Sequence, residues 1–175
     1  MKKYWHTLAV LTLFFNATCQ TPGEIKESYP RMIGDIAYNP SIDTTNFELC
    51  WDEKFAVQYY AFTSTFNQST YLKEKYAVHK IFEANYNADR VPLESGLVSV
   101  RFLVNCRGES GRFRVKGMDE NYQEKVFTSA ITQQLVNITK NELEWKAFKT
   151  DKAERDYYQY LIFKIENGQI IDILP

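Results

Sequence analysis

Apolar and polar positions alternate most clearly over residues 97–105. Val98, Val100, Phe102 and Val104 fall on one side, and Ser99, Arg101, Leu103 and Asn105 on the other. A period of two is that of a strand with one buried face. Gly108 and Gly111 bracket a turn, after which residues 112–116 alternate again, with Phe113 and Val115 inward and Arg112, Arg114 and Lys116 outward. The pattern predicts a hairpin with one basic face. Upstream, residues 71–86 repeat at helical spacing: Tyr71, Leu72, Tyr76, Val78, Phe82 and Tyr86 share one arc. Downstream, Asp119 or Asn121 can cap a second helix, whose stripe is Tyr122, Val126, Ala130, Ile131, Leu135 and Ile138 and which ends near Lys140. Trp145 follows in a short polar-flanked segment, and residues 151–155 read as a charged turn. Residues 157–165 predict another strand, with Leu161, Phe163 and Ile165 on one face and Tyr158, Tyr160 and Ile162 on the other. Asn167-Gly168 is a hairpin signal, and residues 169–174 supply a return strand. The order helix, strand, strand, helix, strand predicts an α+β fold: a small two-layer sandwich with an antiparallel sheet covered by the helices.

The front of the chain has a different pattern. Lys2 and Lys3 precede a mostly apolar run over 7–15, then Asn16-Ala17-Thr18 and Cys19. This layout predicts a signal peptide over 1–18 and an exported protein. The run is shorter than the roughly 20 apolar residues of a spanning helix. The placement of Cys19 resembles that of a bacterial lipoprotein, which implies lipidation of Cys19 and an anchor on the outer membrane, facing the periplasm. A plain secreted protein, cleaved by ordinary signal peptidase, is the alternative. Residues 19–45 carry Pro22-Gly23, Tyr29-Pro30, Gly34-Asp35 and Asn39-Pro40, and read as a tether and irregular lead-in. Residues 46–70, with Phe47, Trp51, Phe55, Tyr59, Tyr60 and Phe62, read as an aromatic extension packed on a domain of 71–175.

Composition narrows the function classes. The chain has 175 residues, of which 45% are hydrophobic and 25% charged, which suits one globular domain with an extension. Lys+Arg 21 against Asp+Glu 22 leaves a net charge of -1, so nucleic acid is not the expected partner. With two histidines a multi-histidine metal site is excluded, and no metal or cofactor is expected. His79 lies on the apolar arc of the first helix and reads as a packed, hydrogen-bonded histidine. No nucleophile elbow, phosphate-cradling loop or His-Glu metal spacing occurs, so no catalytic residue is assigned. Asp43-Thr44-Thr45 resembles the short glycosylation motif of some bacteria. Of three cysteines, Cys19 stands in the anchor position, which leaves Cys50 and Cys106. An exported pair meets an oxidising compartment and is expected to bond.

The predicted order and its landmarks resemble the C-terminal domain of TonB-type energy transducers. The landmarks are Ser95-Gly96-Leu97-Val98-Ser99-Val100-Arg101-Phe102-Leu103-Val104-Asn105 with Gly108, then Leu143-Glu144-Trp145-Lys146-Ala147, then Phe163-Lys164-Ile165-Glu166-Asn167-Gly168. The similarity covers residues 74–175. It implies a periplasmic binding domain whose last strand is a sheet edge that pairs with an extended segment of an outer-membrane protein. Here that edge is expected at 156–165, with Tyr157, Tyr158, Tyr160 and Ile162 facing the partner; the alternative is that these tyrosines cover the core or the 47–66 segment. The basic row Arg101, Arg112, Arg114 and Lys116 is either a site for an acidic partner, lipid headgroup or cell-wall carboxylate, or a solvated strand face. The leading functional reading is a non-enzymatic envelope scaffold that recognises a protein segment by strand addition. Participation in TonB-dependent uptake and a small envelope enzyme with a site in the aromatic region are the alternatives.

Overall fold

The computed structural model describes residues 36–58, 74–149 and 154–174, all within the compact unit Arg31–Pro175. The predicted signal peptide, Cys19, Tyr59, Tyr60, Phe62, Tyr71 and Leu72 lie outside the described residues. In chain order the elements are β1 (Val57–Gln58), α1 (Glu74–Asn85), β2 (Gly96–Val104), β3 (Ser110–Met118), α2 (Ser129–Asn141), β4 (Phe148–Lys149), β5 (Glu154–Arg155), β6 (Tyr157–Glu166) and β7 (Gln169–Leu174). The fold is α+β. Four strands run antiparallel across the sheet, with β6 pairing both β2 and β7 and β2 also pairing β3; β1 joins β6 in parallel.

The alternation of β2 does what its period requires on the inner face. Val98, Val100, Phe102 and Val104 are fully buried and meet Leu161, Phe163 and Ile165 of β6. α1 contributes Val78 and Phe82, and α2 contributes Ile131, Leu135 and Ile138, to the same core. Phe82 and Phe163 meet at 4.7 Å between ring centroids. Phe102 lies between Phe113, at 5.1 Å, and Trp145, at 5.0 Å. Aromatic pairs at such spacings add about 0.5–1.5 kcal/mol beyond the area they bury. Between β6 and β7, Asn167 and Gly168 both adopt positive φ (49° and 78°), the backbone of a tight two-residue hairpin turn.

Several expectations need correction. α2 starts at Ser129, not at Asn121, because residues 119–125 double back beside β3 instead of helping to form a helix. Asp119 accepts the backbone N–H groups of Asn121 and Gln123, and the Lys125 N–H donates to Gly117 O. Tyr122 and Val126, placed on the helix stripe by their spacing, are consequently 74% and 93% exposed. Tyr76 faces outward from α1, where Lys80 sits over its ring. Residues 36–45 form no helix or strand, as an irregular lead-in should, but they are packed on the domain: Ile36 is buried with Phe47, Ala56, Leu103 and Tyr158 in a second small core. That cluster lies on the outer face of the sheet, which explains why Leu103 and Asn105 are fully buried despite their outward position in the alternation. Gly111 is what allows the approach, since a Cβ there would lie 2.1 Å from Cγ of Phe47.

Candidate functional site

The first expectation about the site fails on topology. β6 is interior to the sheet: β2 pairs with it from Gly96↔Ile165 to Val104↔Tyr157, while β1 and β7 occupy most of its other side. It is therefore not an edge open along 156–165. Tyr157 is fully buried on the core face, and its hydroxyl donates to Lys146 O at 2.8 Å. Tyr158 is buried beneath the 36–58 segment, and its hydroxyl donates to Glu53 Oε1 at 3.1 Å. For these two tyrosines the alternative reading, covering of the core and of the aromatic segment, is the one observed. Tyr160 and Ile162 are half-buried on the outer face.

The basic row is likewise redistributed. Register places Arg114, Arg101 and Tyr160 in one line across β3, β2 and β6, and Lys116, Ser99, Ile162 and Leu174 in the next, extended to β7. Arg101, Arg114, Lys116, Tyr160 and Ile162 thus share one face, and Tyr158, paired with Leu103, lies on it too. Arg112 and Arg114, however, are held by the chain's own acids. Arg114 makes two bonds of 2.7 Å to the Asp43 carboxylate, whose side chain is only 3% exposed, and a third to Ala37 O at 2.8 Å. The Arg114 hydrogen bond holds the Asp43 carboxyl below the usual carboxylate range, against the opposing effect of burial, and Asp43 in turn raises Arg114. Arg112 sits at a bulge, where β3 slips register against β2 between Arg101 and Leu103, and takes a positive φ of 53°. Its guanidinium pairs with Glu53 at 2.6 Å. Neither arginine is a solvated face nor a vacant site. Lys116 is exposed and Arg101 half-buried.

Cys50 and Cys106 form a disulfide, with Cα atoms 6.0 Å apart. It joins the N-terminal segment to the mouth of the β2–β3 hairpin, as expected. Beside it lies Asp156, a residue the sequence did not single out. Asp156 is 1% exposed, and its carboxylate accepts the backbone N–H of Cys50 (3.1 Å) and Cys106 (2.9 Å) on Oδ1 and of Trp51 (2.9 Å) on Oδ2. Its own carbonyl accepts the Val57 N–H at 2.8 Å, which starts β1. Asn105 adds a bond from Nδ2 to Glu48 O at 3.0 Å, and Oδ1 accepts the N–H groups of Arg107 and Glu109. Ligand-type atoms of Cys50, Cys106 and Asp156 lie within 4.8 Å of one another. Both sulfurs are committed to the disulfide and the carboxylate to three N–H donors, so the cluster ties chain segments together. No local signal marks Asp156, because its partners are 105, 106 and 50 residues away.

His79 lies half-buried on α1, with Nε2 3.5 Å from Asp172 of β7. Lys75 approaches the same carboxylate at 3.9 Å. This is a contact between a helix and a strand, with no nucleophile in it among the described residues.

Among the described residues, two features of the surface are open. One is the sheet edge. Among the described residues β3 and β7 each pair with one strand only. β7 carries the devices that blunt an edge: Ile171 is the unpaired residue of a bulge, and the Ile173 N–H donates to the Asp172 carboxylate at 2.8 Å. β3 is longer, and beyond its bulge it presents Val115, Lys116 and Met118 at the surface. The other is a groove of about 600 Å³ on the 36–53 segment, bordered by Tyr38, Phe47, Trp51 and Arg112. Comparison with protein-family models, with curated proteins and with solved structures finds no match to this chain.

Proposed function

We propose that this chain is a non-enzymatic binding module of the cell envelope that takes an extended protein segment by strand addition, as its resemblance to TonB C-terminal domains implies. The acceptor is the outer edge of β3 rather than β6. The observation that carries the reading is that β3 ends the sheet and, among the described residues, no strand pairs with its outer side. Backbone N–H and C=O groups there supply affinity, and the surface-facing Val115 and Lys116 set preference. The bulge at Arg112, the Lys125 bond to Gly117 O and the Met118–Glu124 bridge limit the open stretch to residues 113–116, within which the Phe113 carbonyl already accepts from Arg114 Nη1 at 3.0 Å. A short segment alternating apolar and acidic residues fits it, with a carboxylate toward Lys116. In this reading the chain is exported, held by lipid at Cys19, and serves as a scaffold for an outer-membrane or periplasmic protein.

Hydrogen exchange with a panel of N-terminal peptides from outer-membrane receptors tests it. Slowed exchange confined to 113–116, weakened by Lys116→Glu and by salt, is expected. Protection that appears on β7 instead, or on no strand with any peptide, removes the assignment.

A further inference from the structure

The groove on the 36–53 segment has no part in strand addition, and its lining has a chemistry of its own. Tyr38 and Trp51, 46% and 49% exposed, stand beside it with Thr45 and the acids Glu48, Asp52 and Glu53. Exposed aromatic rings are costly to leave in water and here are held in place from behind. The backbone at Trp51 is fixed through the Cys50–Cys106 bridge and the Asp156 bonds to the N–H groups of Cys50 and Trp51, and that beside Tyr38 through the Arg114 bond to Ala37 O and the Asn39 N–H bond to Asp43. The rings are thus presented by a rigid backbone, which lowers the entropy cost of binding.

Charge decides what the groove can take. A cationic ligand would have to stack on a ring that already carries a cation: Arg112 lies 5.4 Å from the Tyr38 ring centroid and Arg155 5.9 Å from that of Trp51. Each ring already has a cation on it, and a second would meet its repulsion. An anionic ligand would face Glu48, Asp52 and Glu53. Asp52 and Glu53 are balanced by Lys54 at 2.9 Å and Arg112 at 2.6 Å, which leaves Glu48 as the one acid of the lining without a counter-charge among these groups. A neutral ligand rich in hydroxyl groups satisfies all of this. Its hydroxyls donate to the carboxylates, while its C–H faces rest on the exposed parts of the Tyr38 and Trp51 rings. The volume, about 600 Å³, lies within the range of small-molecule sites.

We infer that this groove is a binding site for a neutral saccharide, with Trp51 and Tyr38 as stacking platforms and Glu48 as the exposed hydroxyl acceptor. The site is independent of the β3 edge, so either can fail without the other.

The test titrates the full chain with neutral tetrasaccharides of glucose (cellotetraose and maltotetraose) and of N-acetylglucosamine, and with tetralysine and tetragalacturonate as charged controls. Calorimetry reports affinity, and amide shifts report location. Saturable binding of at least one neutral tetrasaccharide at millimolar concentration is expected, with shifts at Tyr38, Glu48 and Trp51. Trp51→Ala weakens it about tenfold, the value of one stacked ring. Glu48→Gln weakens it without altering thermal unfolding, which separates a lost contact from a lost fold. Binding of none of the three neutral tetrasaccharides, tighter binding of either charged control, or a folded Trp51→Ala variant of unchanged affinity overturns the inference.

Discussion

Asp156 is the residue on which the junction between the N-terminal segment and the sheet turns, and replacing it with asparagine isolates its contribution. The change keeps size and one oxygen. An amide oxygen in the place of Oδ1 still accepts from Cys50 and Cys106, but the NH2 then faces the Trp51 N–H, and two donors oppose each other. One charge-assisted bond, worth about 1.5–3 kcal/mol, is lost, and a half-buried donor is left unmatched at a further 1 kcal/mol or so. The expected destabilisation is about 3 kcal/mol; Asp156→Ala, which orphans all three N–H groups, should cost about 5 kcal/mol. Urea denaturation gives the value directly, as a lower midpoint at constant slope. The disulfide adds a second arm to the experiment. It holds Cys50 and Cys106 near the vacated position, so the orphaned groups cannot swing into water. Without the bridge they can, and the cost of Asp156→Asn should be smaller in a Cys50→Ser/Cys106→Ser background, a coupling that a double-mutant cycle measures. A midpoint unchanged to within about 0.5 kcal/mol in the oxidised protein refutes the reasoning, as does strict additivity with loss of the bridge.

Reduction of Cys50–Cys106 opens a loop with a sequence separation of 56 and should lower stability by about 4 kcal/mol in the chain-entropy picture, read as a lower urea midpoint in dithiothreitol. Asp43 has a folded-state pKa below its unfolded value, so its contribution is complete above the unfolded value of about 3.9 and disappears as pH falls through the folded one. Asp43→Asn should therefore flatten the acid limb of a stability–pH curve below about pH 4; an unaltered limb would show that the Arg114 pair adds nothing. Gly111→Val places a side chain in the ring of Phe47 and should cost about 1–3 kcal/mol, while Phe47→Ala/Gly111→Val should recover part of it. Phe82→Ala, by emptying the space between α1 and β6, should cost about 3–5 kcal/mol in the same assay.

Legibility in the sequence followed the range of the interactions. The inner face of β2, the apolar face of β6 and the Asn167-Gly168 turn were readable, because burial on one face writes itself as a period of two and a tight turn demands positive φ from specific residues. The pairing of Cys50 with Cys106 was readable by elimination. The start of α2 was not: Tyr122 and Val126 keep helical spacing, but the turn built on Asp119 takes the backbone elsewhere. Spacing constrains a helix only where the hydrogen bonds are not already spent.

The alternation over 97–105 determined by itself that Val98, Val100, Phe102 and Val104 would form a core, since a half-buried strand has no other way to arrange them. What it could not determine was the fate of the opposite face. Leu103 is buried only because Ile36 and Phe47 arrive there, Arg114 is neutralised only because Asp43 does, and β6 is interior only because β1 and β7 flank it. Periodicity is a property of neighbours in the chain. Which face meets water, which charge meets its partner and where β1 adds to the sheet depend on segments 50 or more residues away, and those meet only in the folded molecule.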